Sequence, residues 1–94
     1  MLKVIKKDGR IEEFISEKII TSISNCGNDV NLHLNQKELD LIAKEVEDII
    51  IKIRGNDGKT SAYEIRGVVT RVLRDMGYSK VSNCFYEGKL QGNI

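Results

Sequence analysis

Asp8-Gly9 stands between two short runs with β-branched and aromatic members, Leu2 to Lys6 and Arg10 to Phe14, which is the signature of a β-hairpin. Two strands with so little apolar surface are marginal in water, so helices must cover one side of them. The register has two readings. A bulge-type turn at Gly9 sets Lys6 opposite Arg10 and Val4 opposite Glu12, which puts Val4, Lys6, Glu12 and Phe14 on one face. A two-residue turn slips the pairing by one.

The remaining chain supplies the covering helices. Ser16 is the expected N-cap of a first helix with Ile19, Ile20, Ile23 and Cys26 at helical spacing and Gly27 closing it. Residues 27–35 read as a polar loop. Asn35 with Glu38 forms a capping box for the longest helix, whose stripe is Leu39, Ile42, Ala43, Val46, Ile49, Ile50 and Ile53, ending at Gly55-Asn56-Asp57-Gly58. Lys59-Thr60 reads as extended and could add a third strand. Ser61 and Glu64 spell a second capping box, for a helix carrying Ile65, Val68, Val69, Val72, Leu73 and Met76 and stopped by Gly77. A last short helix starts at Ser79 with Val81, Cys84 and Phe85 inward. The expected fold is α+β, a small β-hairpin or three-stranded sheet packed on a four-helix bundle. It forms one domain over residues 1–90, with a frayed tail at 91–94.

Composition excludes several functions. Fifteen Lys and Arg against fourteen Asp and Glu give a net charge of +1, so there is no electrostatic case for independent nucleic-acid binding. No apolar run approaches the roughly 20 residues that span a bilayer, and the opening residues lack the apolar stretch of a signal peptide. A cytoplasmic protein without a membrane anchor is expected. Cys26 and Cys84 fall on apolar faces and read as buried, reduced thiols, and His33 reads as a solvated loop residue with no acid, Ser or Cys beside it.

Gly58-Lys59-Thr60 has the ending of a P-loop, yet Ile53 stands where that motif needs its first glycine, and a helix rather than a buried strand leads in. Glu12-Glu13 could ligate Mg²⁺ or act as a general base, but no nucleophile or second carboxylate cluster accompanies it, so catalysis is not expected. More informative are Lys6 and Lys7 at a strand end, Glu12 in the second strand, and Lys18 in the first turn of a helix. Lysines can meet a triphosphate, a carboxylate can accept from a ribose hydroxyl or base amine, and helix-start amides add donors. Lysines beside a turn are also commonly just solvated.

The run Val4-Ile5-Lys6-Lys7-Asp8-Gly9-Arg10-Ile11-Glu12-Glu13-Phe14, followed by Ser16-Glu17-Lys18-Ile19, resembles the opening signature of the ATP-cone domain. Glu45-Val46-Glu47, the stretch from Ser61 to Val69, and Met76-Gly77-Tyr78 are similar to later parts of that family, so the likeness runs from Val4 to about Lys89. The resemblance implies a regulatory domain, found at the front of many ribonucleotide reductases and in the zinc-ribbon repressor of reductase genes. Such domains bind ATP or dATP as effectors, usually with Mg²⁺, and do not hydrolyse them. Carried over, Val4 would lie against the nucleotide, Lys6, Lys7 and Lys18 would meet phosphates, and Glu12 would fix the base or sugar. Glu13, Phe14, Ile15 and Ser16 would form the pocket wall, Ser61 would stand beside the nucleotide unless it caps its helix, and Lys89 would match a basic residue near the end of the last helix.

The chain departs from the family pattern at Lys7, where Arg is commoner, at Ile15, at Ala62 in place of a Thr, and at Gly88 near an expected aromatic. These changes bear on base or sugar selectivity more than on phosphate attraction. With no reductase barrel, glycyl-radical site or zinc ribbon in the sequence, the expectation is a stand-alone or excised cone. It would act through a reductase-type catalytic chain, a transcription regulator, or a homo-oligomer. The competing reading is a protein-interaction or transcription-associated module with a degenerate nucleotide site, meeting its partner through Arg66, Arg71 and Arg74.

Overall fold

The structure, a computed structural model, describes residues 1–87. Strands β1 (Lys3–Ile5), β2 (Ile11–Glu13) and β3 (Lys59–Ser61) accompany helices α1 (Ser16–Asp29), α2 (Gln36–Arg54), α3 (Ala62–Asp75) and α4 (Ser79–Tyr86). The strand order is β2-β1-β3, with β1 central, antiparallel to β2 and parallel to β3. This is an α+β fold, and Lys59-Thr60 does supply the third strand.

The hairpin takes the bulge register. The Gly9 N–H donates to the Lys6 carbonyl at 2.9 Å, the Lys6 N–H donates to the Arg10 carbonyl at 2.8 Å, and Gly9 has φ +89°. A Cβ disfavours that left-handed conformation, which is why a glycine stands there. Val4 therefore pairs with Glu12, and the Phe14 N–H reaches the Leu2 carbonyl at 3.0 Å. Leu2 and Val4, each 3% exposed, join the helices in one core that also holds Ile19, Ile23, Ile65 and Leu73.

Helix boundaries show where local text suffices. Asn35 accepts from the Glu38 N–H at 2.8 Å, and the Glu38 carboxylate accepts from the Asn35 N–H at 3.0 Å, completing the expected box at the head of α2. Gly55 ends α2, with its N–H on the Ile51 carbonyl at 2.7 Å. At the end of α3, Gly77 (φ +92°) and Tyr78 donate to Arg74 and Leu73 at 3.0 and 2.8 Å, a Schellman motif.

Other expectations need correction. Ile15, not Ser16, is the N-cap of α1, and Ser16 is already helical. Gly27 does not close α1 but lies buried within it, because the chain returns so closely that a Cβ there would stand 2.5 Å from the Leu32 carbonyl oxygen. The helix runs on to Asp29, and the loop is correspondingly shorter. Ile53 (57% exposed) and Met76 (38%) sit at the edges of their stripes rather than in the core. Only half of the second capping box forms. The Ser61 hydroxyl accepts from the Glu64 N–H at 3.1 Å, but the Glu64 carboxylate turns instead to Arg54 and Thr60. The expected tail at 91–94 lies outside the described residues.

Candidate functional site

The hairpin face that carries Val4, Lys6, Glu12 and Phe14 abuts the start of α1. Between them lies a shallow cleft with a cavity volume of about 10 Å³, lined by Val4, Lys6, Glu13, Phe14, Ile15 and Lys18, with Ile19 of α1 and Ile65 of α3 at its floor. Six of the eleven residues singled out in the sequence thus share one depression. The cause is local. The bulge register aims Val4 and Lys6 to the same side as Glu12 and Phe14, and the abrupt entry into α1 brings Lys18 back across that face.

Charge is concentrated at the lip. Glu12 Oε1 lies 3.9 Å from Lys6 Nζ and 3.9 Å from Lys18 Nζ, while its Oε2 lies 3.1 Å from Arg10 Nη1. One carboxylate therefore gathers three cations. Lys6 is the most enclosed of them, its side chain 12% exposed against 46% for Lys18 and 67% for Arg10. Arg10 is oriented in turn by Asp8, whose Oδ2 accepts from Arg10 Nε at 2.7 Å and whose Oδ1 accepts from the Arg10 N–H at 3.1 Å. Those contacts, the backbone one first, hold the Asp8 carboxyl below its ordinary range despite desolvation. Among the described residues no side chain caps the first turn of α1, and the Ser16 hydroxyl rests 3.4 Å from Glu17 Oε2.

The remaining expected residues fall differently. Lys7 is exposed in the turn, and Glu12 stands at the lip rather than in the lining. Ser61 uses its hydroxyl to cap α3, and Lys89 lies outside the described residues. Arg10, Ile19 and Ile65 were missed by the sequence reading. Alternation along β2 places Arg10 on the face of Glu12 and Phe14, so that signal was available. Nothing local points to Ile65, which arrives through tertiary packing. Among the described residues no group of three His, Cys, Asp or Glu could hold a metal ion, and no helix is long and apolar enough to cross a membrane.

A cation-rimmed cleft with an apolar floor, built by a hairpin and the helix that follows it, suits a small anionic ligand with a flat apolar part. No curated protein matches the chain. A family model does: that of the ATP cone domain matches residues 2–84. The chain belongs to the ATP-cone family, whose members are nucleotide-binding regulatory domains.

Proposed function

We propose that this domain senses adenine nucleotides, binding ATP or dATP at the cleft without hydrolysing it and passing occupancy on to a partner or to a second copy. The observation that carries this reading is the convergence of Lys6 and Lys18 on one oxygen of Glu12, each at 3.9 Å. Two ammonium groups already focused on an anionic oxygen are arranged for a phosphate oxygen to replace it. Once the polyphosphate takes the lysines, the Glu12 carboxylate is released to accept from the base amine or a sugar hydroxyl. Val4, Phe14 and Ile15 supply the apolar wall for the base or sugar, and the uncapped first turn of α1 offers further N–H donors. Mg²⁺ would come with the nucleotide, as the counter-ion of its phosphates.

The cleft, with a cavity volume of about 10 Å³, is far smaller than the roughly 300–1,000 Å³ of sites that bury a small molecule. Binding therefore moves side chains, and Ile15 (41% exposed) and Lys18 at the rim are free of the core and able to swing. A ligand that favours the opened arrangement shifts a population. A hundredfold preference for one assembly over another corresponds to about 2.7 kcal/mol, enough to switch it.

Calorimetric titration with ATP, dATP, ADP and GTP is the direct test. Saturable heat with adenine nucleotides, weakened by Lys6→Ala in a domain with an unchanged circular dichroism spectrum, is the expected result. No heat with any adenine nucleotide at millimolar concentration overturns the reading, and phosphate release under the same conditions overturns its non-hydrolytic part.

A further inference from the structure

Asp8, Arg10 and Glu12 follow one another at two-residue spacing out of the hairpin turn, Asp8 within the turn, Arg10 at its exit and Glu12 in β2. In extended chain that spacing keeps Arg10 and Glu12 on one face. Asp8 grips Arg10 at two points: its Oδ1 accepts from the Arg10 backbone N–H at 3.1 Å, and its Oδ2 accepts from Arg10 Nε at 2.7 Å. A guanidinium is planar and rigid, so holding the backbone and Nε restricts where the rest of the fork can reach. Nη1 ends 3.1 Å from Glu12 Oε2.

We infer that Asp8 and Arg10 are positioning residues, which hold the Glu12 carboxylate by Oε2 so that Oε1 stays presented to the base or sugar of a bound nucleotide, an inference that rests on the reading of the cleft as a nucleotide site. The two oxygens of Glu12 are held unequally. Arg10 at 3.1 Å is within the range of a direct N–O contact, whereas Lys6 and Lys18, each 3.9 Å from Oε1, are beyond it. The carboxylate is therefore fixed through one oxygen and only attracted through the other. When a polyphosphate draws the two lysines away, the closer contact persists and Glu12 keeps its place. Without Arg10 the carboxylate would follow the lysines and compete with the incoming phosphate.

The rival role for Arg10 is direct contact with phosphate, and the geometry speaks against it. Lys6 and Lys18 line the cleft, and Arg10 does not. Its Nε and Nη1 already face carboxylates at 2.7 and 3.1 Å, and the Asp8 charge beside it repels an arriving anion. A lysine in its place would keep the charge and lose the fork, because one ammonium cannot take the positions of Nε and Nη1 against two carboxylates at once. Exposed ion pairs add little to stability, so the consequence of this chain of contacts is orientation rather than folding.

Calorimetric titration of the full chain with ATP and with inorganic tripolyphosphate separates the roles. The ratio of the two affinities reports the nucleoside, and a change of charge near the phosphates cancels from it. Arg10→Ala should lower that ratio about five- to tenfold, the partial loss of a hydrogen bond to a charged group. Asp8→Asn, which keeps an acceptor for the backbone of the turn, should lower it in the same direction, and Arg10→Lys should not restore it. The side chains of Arg10 and Asp8 are 67% and 57% exposed, so the variants should keep the circular dichroism spectrum of the parent. In a Glu12→Gln background Arg10→Ala should change the ratio no further, since the group that Arg10 aims is gone. A ratio that holds while both affinities fall makes Arg10 a phosphate ligand and overturns the positioning role, as does an equal fall in the Glu12→Gln background or restoration by lysine. A parent chain that binds ATP no tighter than tripolyphosphate instead removes the nucleoside from the cleft, and the nucleotide reading fails with it.

Discussion

Two helical glycines illustrate how one residue type carries opposite consequences. Gly27 is buried under the Leu32 carbonyl, whose oxygen would lie 2.5 Å from an added Cβ, whereas Gly67 faces open space. Gly27→Ala should therefore destabilise the domain by about 1–3 kcal/mol through forced displacement of backbone. Gly67→Ala should stabilise the domain by about 0.5–1 kcal/mol through helix propensity. Urea titration of both variants at low protein concentration reads the two signs, and shifts of the same sign would refute the assignment of either site. Glu12 poses a sharper question, since its carboxylate both holds the lysines and is expected to meet the base or sugar. Glu12→Gln removes the competing anion, so inorganic tripolyphosphate should bind about three- to tenfold tighter, the sum of two modest ion pairs released. Weaker tripolyphosphate binding in a calorimetric titration would mean that the carboxylate does not compete with phosphate.

Among the elements, the junction of α2, β3 and α3 is where long-range chemistry overrides local text. Arg54 donates to Glu64 through Nε at 3.0 Å and Nη2 at 2.9 Å, and the Thr60 hydroxyl donates to the same carboxylate at 2.6 Å. The bidentate guanidinium, aided by Thr60, outweighs desolvation and holds the Glu64 carboxyl below its ordinary range. Because the folded-state value is depressed, the stabilisation is complete above the unfolded carboxyl's value and is lost as pH falls through the folded one. Glu64→Gln should thus cost about 1–2 kcal/mol at neutral pH, the exposed guanidinium trimming the upper end, and should flatten the acid limb of a stability profile. Asp8, Glu38 and Asp57, whose carboxyls are also lowered, keep part of that limb. An unchanged acid limb in the variant would show that the junction does not couple to protons. This junction also explains why the capping box at Asn35 was legible in full and the one at Ser61 only in half. The former is closed by residues three apart, while the latter lost its glutamate to an arginine ten residues earlier. Gly55 and Gly77 were legible as helix ends for the same local reason, and Gly27 was not, because its neighbour Leu32 is brought near only by the turn that follows α1.

In the whole molecule, the cleft was legible because nearly all of it comes from residues 4–18, where strand alternation and one helical turn decide the geometry. Its floor was not, since Ile65 enters from α3, on the far side of two helices in sequence. A nucleotide at the proposed site would gain leverage over the entire domain from that floor. Ile65 and Ile19 are each 1% exposed and belong to the same core as Val4 and Phe85, so a ligand resting on them binds the folded chain and not the unfolded one. Tyr78 Oη donates to Glu38 at 2.7 Å, tying the end of α3 and the start of α4 to the head of α2, so the helices share the effect. ATP at a hundred times its dissociation constant should add about 2.7 kcal/mol of stability, which for a domain of this size raises the melting temperature by roughly 10–20 °C. Lys6→Ala at the same ATP concentration should show a much smaller rise while melting normally without ligand. A full rise in that variant would move the phosphates away from Lys6, whereas loss of the rise in both proteins would remove the nucleotide from the fold altogether.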